Sequence, residues 1–147
     1  SSLYEMAGYP EQAHDIYGRA ITEQLVREPL GKNTVNTRVA TYMNNLAYSH
    51  STTNRQLDRG ESLIRRALAA SRAYQSAHID TLGWILYRQG EYERATRYVE
   101  QSLRTAPPNN DVSELTDHLA TLYALVGRSE EAALMEIWTH SMRPWSQ

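Results

Sequence analysis

Apolar residues along this chain recur at three- and four-residue spacings, in blocks separated by polar turns. Ala13, Tyr17, Ala20 and Ile21 form one such stripe, Leu63, Ala67 and Leu68 another. That period puts apolar side chains on one face of a helix, where a strand would need alternation. The clearest block runs from His78 to Pro107: Leu82-Gly83-Trp84, then Gly90-Glu91-Tyr92, then Ala95, Tyr98, Leu103 and Pro107. It predicts two helices. The first ends at Gly90, which is free to adopt positive φ. The second begins near Glu91, with its acids at the positive end of the helix dipole. Pro107 and Pro108 stop it.

The plan then repeats at an offset of 37 residues, with Leu119-Ala120 for Leu82-Gly83, Gly127 for Gly90, Ala132 for Ala95 and Pro144 for Pro107. Asp111 followed by Glu114 has the spacing of a capping box at the start of this unit. The preceding unit is looser. Leu46-Ala47 supplies the small-residue pair, polar Ser49 to Gln56 is read as a longer turn, and Gly60 stands where the next unit has Ala95. A mid-helix glycine costs about 1 kcal/mol relative to alanine, so close packing is its expected reason. Upstream, Gly8-Tyr9-Pro10 turns into the first stripe, with only Ser1 to Met6 before it. The expected layout is a single array: a partial repeat over 1–28, then repeats over 36–72, 76–109 and 112–144. The short opening suggests a fragment of a longer solenoid, since such arrays need capping ends.

Composition narrows the class. Lys plus Arg number 15 against 17 Asp plus Glu, a formal charge of −2. Nucleic-acid binding is not expected without clustered cations. Cysteine is absent, which excludes disulfides and thiolate chemistry. No apolar run approaches the ~20 residues that span a bilayer, so membrane insertion is not expected. The compartment stays open, with the cytoplasm ahead of the periplasm.

The small-residue pairs, Gly turns, second-helix alanines and closing prolines resemble the tetratricopeptide repeat, whose period is about 34 residues. The likeness covers nearly the whole chain. A secondary likeness, carried by Tyr17-Gly-Arg-Ala-Ile21, Val39-Ala40-Thr41 and Asn44-Asn45-Leu46-Ala47, is to kinesin-light-chain-type repeats and their bacterial relatives. The linker from Glu28 to Asn36 is longer than in that pattern. The resemblance implies an all-α, right-handed superhelical solenoid of antiparallel helix-turn-helix hairpins. It implies a non-catalytic scaffold that binds another protein or an extended peptide in a concave groove lined by the first helix of each hairpin. Carried over by position, the groove face comprises Asn44, Asn45 and Tyr48; then Asp80, Trp84, Tyr87 and Arg88; then Glu114, Asp117, His118 and Thr121. Asp80, Trp84, Tyr87 and Arg88 fall at i, i+4, i+7 and i+8, one helix face. Trp84 and Tyr87 are the expected anchors. The carboxylates on this face argue against a clamp for acidic tails and for a partner with basic or polar character.

Chemistry beyond binding finds little support. The five histidines contain no i, i+4 pair for a metal, although ligands could still assemble across helices. Gly31-Lys32-Asn33-Thr34 lacks the first glycine and the strand of a phosphate loop. No catalytic constellation emerges, and no cofactor is expected. Two alternatives to the scaffold reading remain: a regulatory or sensor domain of a larger signalling or transcription protein, and a structural module that self-associates through its end repeats.

Overall fold

The computed structural model describes residue 19 and residues 33–142, excepting the side chains of 33–36 and 142. The partial repeat expected over 1–28 thus lies outside the described residues, apart from Arg19, as do Trp145 and Pro144. Six helices follow one another, with no strand among the described residues: α1 (Asn33–Thr53), α2 (Leu57–Ala70), α3 (Gln75–Arg88), α4 (Tyr92–Thr105), α5 (Ser113–Leu125) and α6 (Ser129–Met142). They pair as hairpins, α1 with α2, α3 with α4 and α5 with α6. Each second helix also packs on the first helix of the next hairpin. First helices of successive hairpins touch one another, α1 with α3 and α3 with α5.

The apolar stripes merge into one core that runs through all three hairpins. Leu46, Ile64, Leu82, Ile85, Leu86, Val99, Leu119 and Leu122 are almost wholly buried. A lone hairpin would leave half of this surface wet, so stacking supplies the burial that holds each one. Close approach depends on the smallest residues. A Cβ at Gly83 would lie 2.6 Å from Val99 Cγ2 and 3.3 Å from the Ala95 carbonyl oxygen. At Gly60 it would lie 3.0 Å from His50 Cβ, so packing explains that glycine, as the sequence suggested. Hydroxyl pairs also tie the open end of each hairpin: Thr37 with Ser71, Ser76 with Ser102, and Thr116 with Thr139.

Two helix ends follow the sequence reading. Gly90 has φ +83° and Gly127 φ +81°. The following amides, Glu91 N–H to Leu86 O at 2.9 Å and Arg128 N–H to Tyr123 O at 2.8 Å, close the six-residue turn that caps a helix through a left-handed residue. Two other ends differ from it. The stretch Ser49 to Gln56 is not a long turn, because α1 continues to Thr53. Its hydroxyls bond back into their own helix, Ser51 to Tyr48 O and Thr53 to Ser49 O, so they do not compete for a turn. Left-handed Asn54 and Gln56 (φ 54° and 51°) then make the reversal in three residues. Nor does Asp111 form a capping box with Glu114. Val112 is the N-cap, and the Asp111 carboxylate accepts the Ser113 N–H at 2.9 Å, two residues on.

A polar cluster joins the second and third hairpins on the second-helix side. The Tyr123 hydroxyl donates to Glu100 Oε2 at 2.7 Å, and Arg128 lies 4.3 Å over the Tyr123 ring and 3.5 Å from Glu100. Arg128 also pairs with Glu131. Burial, helped by the bond to Glu100, pushes the Tyr123 phenol up to about 12. Its proton stays on, and it remains a donor.

Candidate functional site: the first-helix face

The residues expected to face a groove fall into a column across α1, α3 and α5. Asp80, Trp84, Tyr87 and Arg88 of α3 form one connected group with Glu114 and His118 of α5. Asp80 on α3 and His118 on α5 are both buried, at 8% exposure each. His118 Nδ1 lies 2.9 Å from Asp80 Oδ1. An ionised carboxylate only accepts, so the proton of that bond sits on Nδ1 and Nε2 is left at the outer edge of the ring. Glu114, one helical turn before His118, lies there with its Oε1 3.9 Å from Nε2.

Aromatic rings continue the group along α3. Trp84 stacks on the His118 imidazole, centroids 3.8 Å apart and planes 16° apart. Tyr87 stacks on the other side of the indole at 4.3 Å. Tyr92, the first residue of α4, follows at 5.9 Å. The Arg88 guanidinium lies 5.6 Å from the Tyr87 centroid. The result is a ladder of four rings with a carboxylate pair at one end and a cation beside the third ring. Trp84 and Tyr87 are half-buried and Arg88 exposed, which leaves ring edges open to an incoming chain.

Other members of the column differ in access. Asn44 Oδ1 is buried with no hydrogen-bond partner among the described residues, and Asn45 is half-buried. Tyr48 is exposed, as are Glu114, Asp117 and Thr121. Between the N-terminal ends of α3 and α5 lies a pocket of about 590 Å³, lined by Arg72, Ser76, Asp80, Asp111, Glu114 and Leu115 among others. Its carboxylates outnumber its one arginine, an electrostatic bias toward cationic groups.

The sequence placed Asp80, Trp84 and His118 on one face but did not foresee their mutual contact. The signal was present in the 37-residue offset, since residues one period apart on first helices become neighbours once hairpins stack. Tyr92 was noted only as the end of the Gly90-Glu91-Tyr92 motif, and its place in the ladder was missed. Among the described residues, ligand atoms of Asp80, Glu114 and His118 all lie within 4.8 Å of one another. This combination of two carboxylates and an imidazole was not singled out from the sequence.

Comparison with known proteins identifies one of the three hairpins. Residues 76–106, which span α3 and α4, match the family model described as "Tetratricopeptide repeat". The hairpin of α3 and α4 is thus a tetratricopeptide repeat. The matched repeat contains Asp80, Trp84, Tyr87 and Arg88. In fold, the chain is similar to the crystal structure of BtubC (BKLC) from P. vanneervenii, with a TM-score of 0.76 and 20% identity, over 97% of this chain. It spans 60% of the length of that chain. No curated protein sequence matches. Tetratricopeptide repeats are helical-repeat scaffolds that generally serve protein interaction and lack catalysis. No described helix is long and apolar enough to cross a membrane.

Proposed function

We propose that this repeat array binds an extended segment of another protein along the column of first helices, with Trp84 and Tyr87 as anchors. The observation that carries the reading is the half-exposed ladder of His118, Trp84, Tyr87 and Tyr92 beside a carboxylate-lined pocket. First helices touch their counterparts in the neighbouring hairpins, which makes their side the inner one of a curved stack. Stacked rings held from below by Asp80 and His118 lose little freedom on binding and offer large contact area. Asp111, Glu114 and Asp117 favour a segment with basic residues, and Arg88 can donate to a carboxylate or backbone carbonyl of that segment. Panning a random-peptide library against the chain tests this. Selected peptides should carry Lys or Arg with a hydrophobic residue a few positions away. Acidic peptides without basic residues would contradict the reading.

A second reading has its own observation. On α6, Leu134 and Ile137 are 61% and 65% exposed, with Trp138 at 45%, all on one helix face. Apolar patches of this kind mark interaction surfaces, and a second copy stacked there would bury them. Light scattering that shows mass rising with concentration, and Leu134→Glu abolishing the rise, would support self-association.

A further inference from the structure

We infer that His118 and Glu114 form a binding site for a divalent zinc-class cation, with Asp80 as the positioning residue behind the imidazole. Metal-bound histidines typically donate their second ring N–H to a carboxylate, which fixes the tautomer and raises the basicity of the ligating nitrogen. Asp80 makes that bond to Nδ1 at 2.9 Å. The ring is pinned further by Trp84, stacked at 3.8 Å. His118 is therefore held in one orientation, its side chain nine-tenths buried, with Nε2 3.9 Å from Glu114 Oε1.

Spacing fits the ion. Glu114 and His118 are four residues apart on α5, so both side chains project from one face. Their ligand atoms are 3.9 Å apart. Two ligands at about 2.0–2.2 Å from a tetrahedral zinc stand about 3.3 Å apart. Glu114 is exposed on its side chain (62%), and a small rotation closes the difference. Imidazole and carboxylate without thiolate suit zinc and its borderline neighbours better than soft cations. The remaining coordination positions are left to water or to a donor from a bound protein. Sequence spacing alone concealed the pair, because a search for two histidines passes over a Glu and a His four residues apart.

The inference does not depend on the peptide reading, since the metal alone is the probe. Isothermal calorimetry with zinc ions should give wild type one more site than Glu114→Gln, a change at an exposed position that leaves the fold intact. Asp80→Asn should keep the site but weaken it about 10–100-fold. Two-bond proton–nitrogen NMR should show zinc shifting Nε2 of His118 with Nδ1 still protonated. Glu93→Gln, on the exposed face of α4, should bind as wild type does. Equal stoichiometry and affinity in wild type and Glu114→Gln would overturn the proposal, as would zinc arriving at Nδ1 or failing to bind wild type.

Discussion

Replacing Gly83 with alanine sets two effects of known size against each other. In an isolated helix the change is favourable by about 1 kcal/mol, because glycine is the poorer helix former. Here the new methyl would lie 2.6 Å from Val99 Cγ2, where real Cβ contacts essentially never occur. Val99 cannot swing aside, because it is wholly buried and a β-branched side chain in a helix has one strongly preferred rotamer. The Ala95 carbonyl oxygen at 3.3 Å and the Val99 nitrogen at 3.4 Å keep α4 from moving closer. Overpacking of this kind costs about 1–3 kcal/mol. The net expectation is a loss of about 1 kcal/mol in spite of the better propensity. Removing the obstacle should reverse the sign. In a Val99→Ala background, Gly83→Ala should be neutral or stabilising, which gives a coupling energy of about 1–2 kcal/mol between the two positions. Urea melts of the four proteins, followed by far-UV circular dichroism, complete the cycle. A wild-type background in which Gly83→Ala stabilises by the full propensity gain, with no coupling to Val99, would refute the close approach of α3 and α4.

Three further expectations follow from the same structure. Gly90 has φ +83° with open space around its would-be Cβ, so Gly90→Ala should cost about 1–2 kcal/mol from backbone strain alone, measurable in the same melts. Burial holds the pKa of His78 below the ordinary histidine value of 6.5, and its Nδ1 has no hydrogen-bond partner among the described residues. The unfolded chain therefore binds this proton more readily, so stability falls as pH drops from 6.5 through the folded-state pKa. His78→Gln should flatten that part of a stability–pH curve, and an unchanged slope would contradict the assignment. The Tyr123 phenol, pushed up to about 12, should be missing from the phenolate absorbance that rises near pH 10. Stability should decline between about pH 10 and 12, where the folded state retains that proton and the unfolded state does not. Tyr123→Phe should cost about 1 kcal/mol.

How much of this could be read from the chain depended on how local the cause was. Gly90 and Gly127 were legible as helix ends because positive φ is a property of one residue. Leu82-Gly83 and Leu119-Ala120 were legible because a small residue beside a large one is what close-packed helices need. The reversal after α1 was misread because serines and threonines at 49–53 suit a turn in isolation; only their bonds back to Tyr48 and Ser49 show that the helix absorbs them. The Asp111–Glu114 spacing misled for a similar reason, since the carboxylate turned to Ser113 instead. The face carrying Asp80, Trp84, Tyr87 and His118 was visible as a helical periodicity, but their stacking was not. The Asp80–His118 hydrogen bond joins residues 38 apart, one more than the repeat offset, and both it and the stacking of Trp84 on His118 depend on the angle at which one hairpin rests on the next. Sequence periodicity fixes which residues share a face, and hairpin rotation decides which of them touch.

The central claim is that the first-helix face holds the partner, and the most direct test compares affinities across faces. A peptide selected from the library would be titrated by fluorescence anisotropy into wild type, into Trp84→Ala/Tyr87→Ala, and into Arg97→Ala on the exposed side of α4. The account predicts at least a tenfold loss for the double variant, equivalent to about 1.4 kcal/mol, and no change for Arg97→Ala. Equal affinity in wild type and the double variant, or a loss confined to Arg97→Ala, would move binding off the first-helix face and contradict the account.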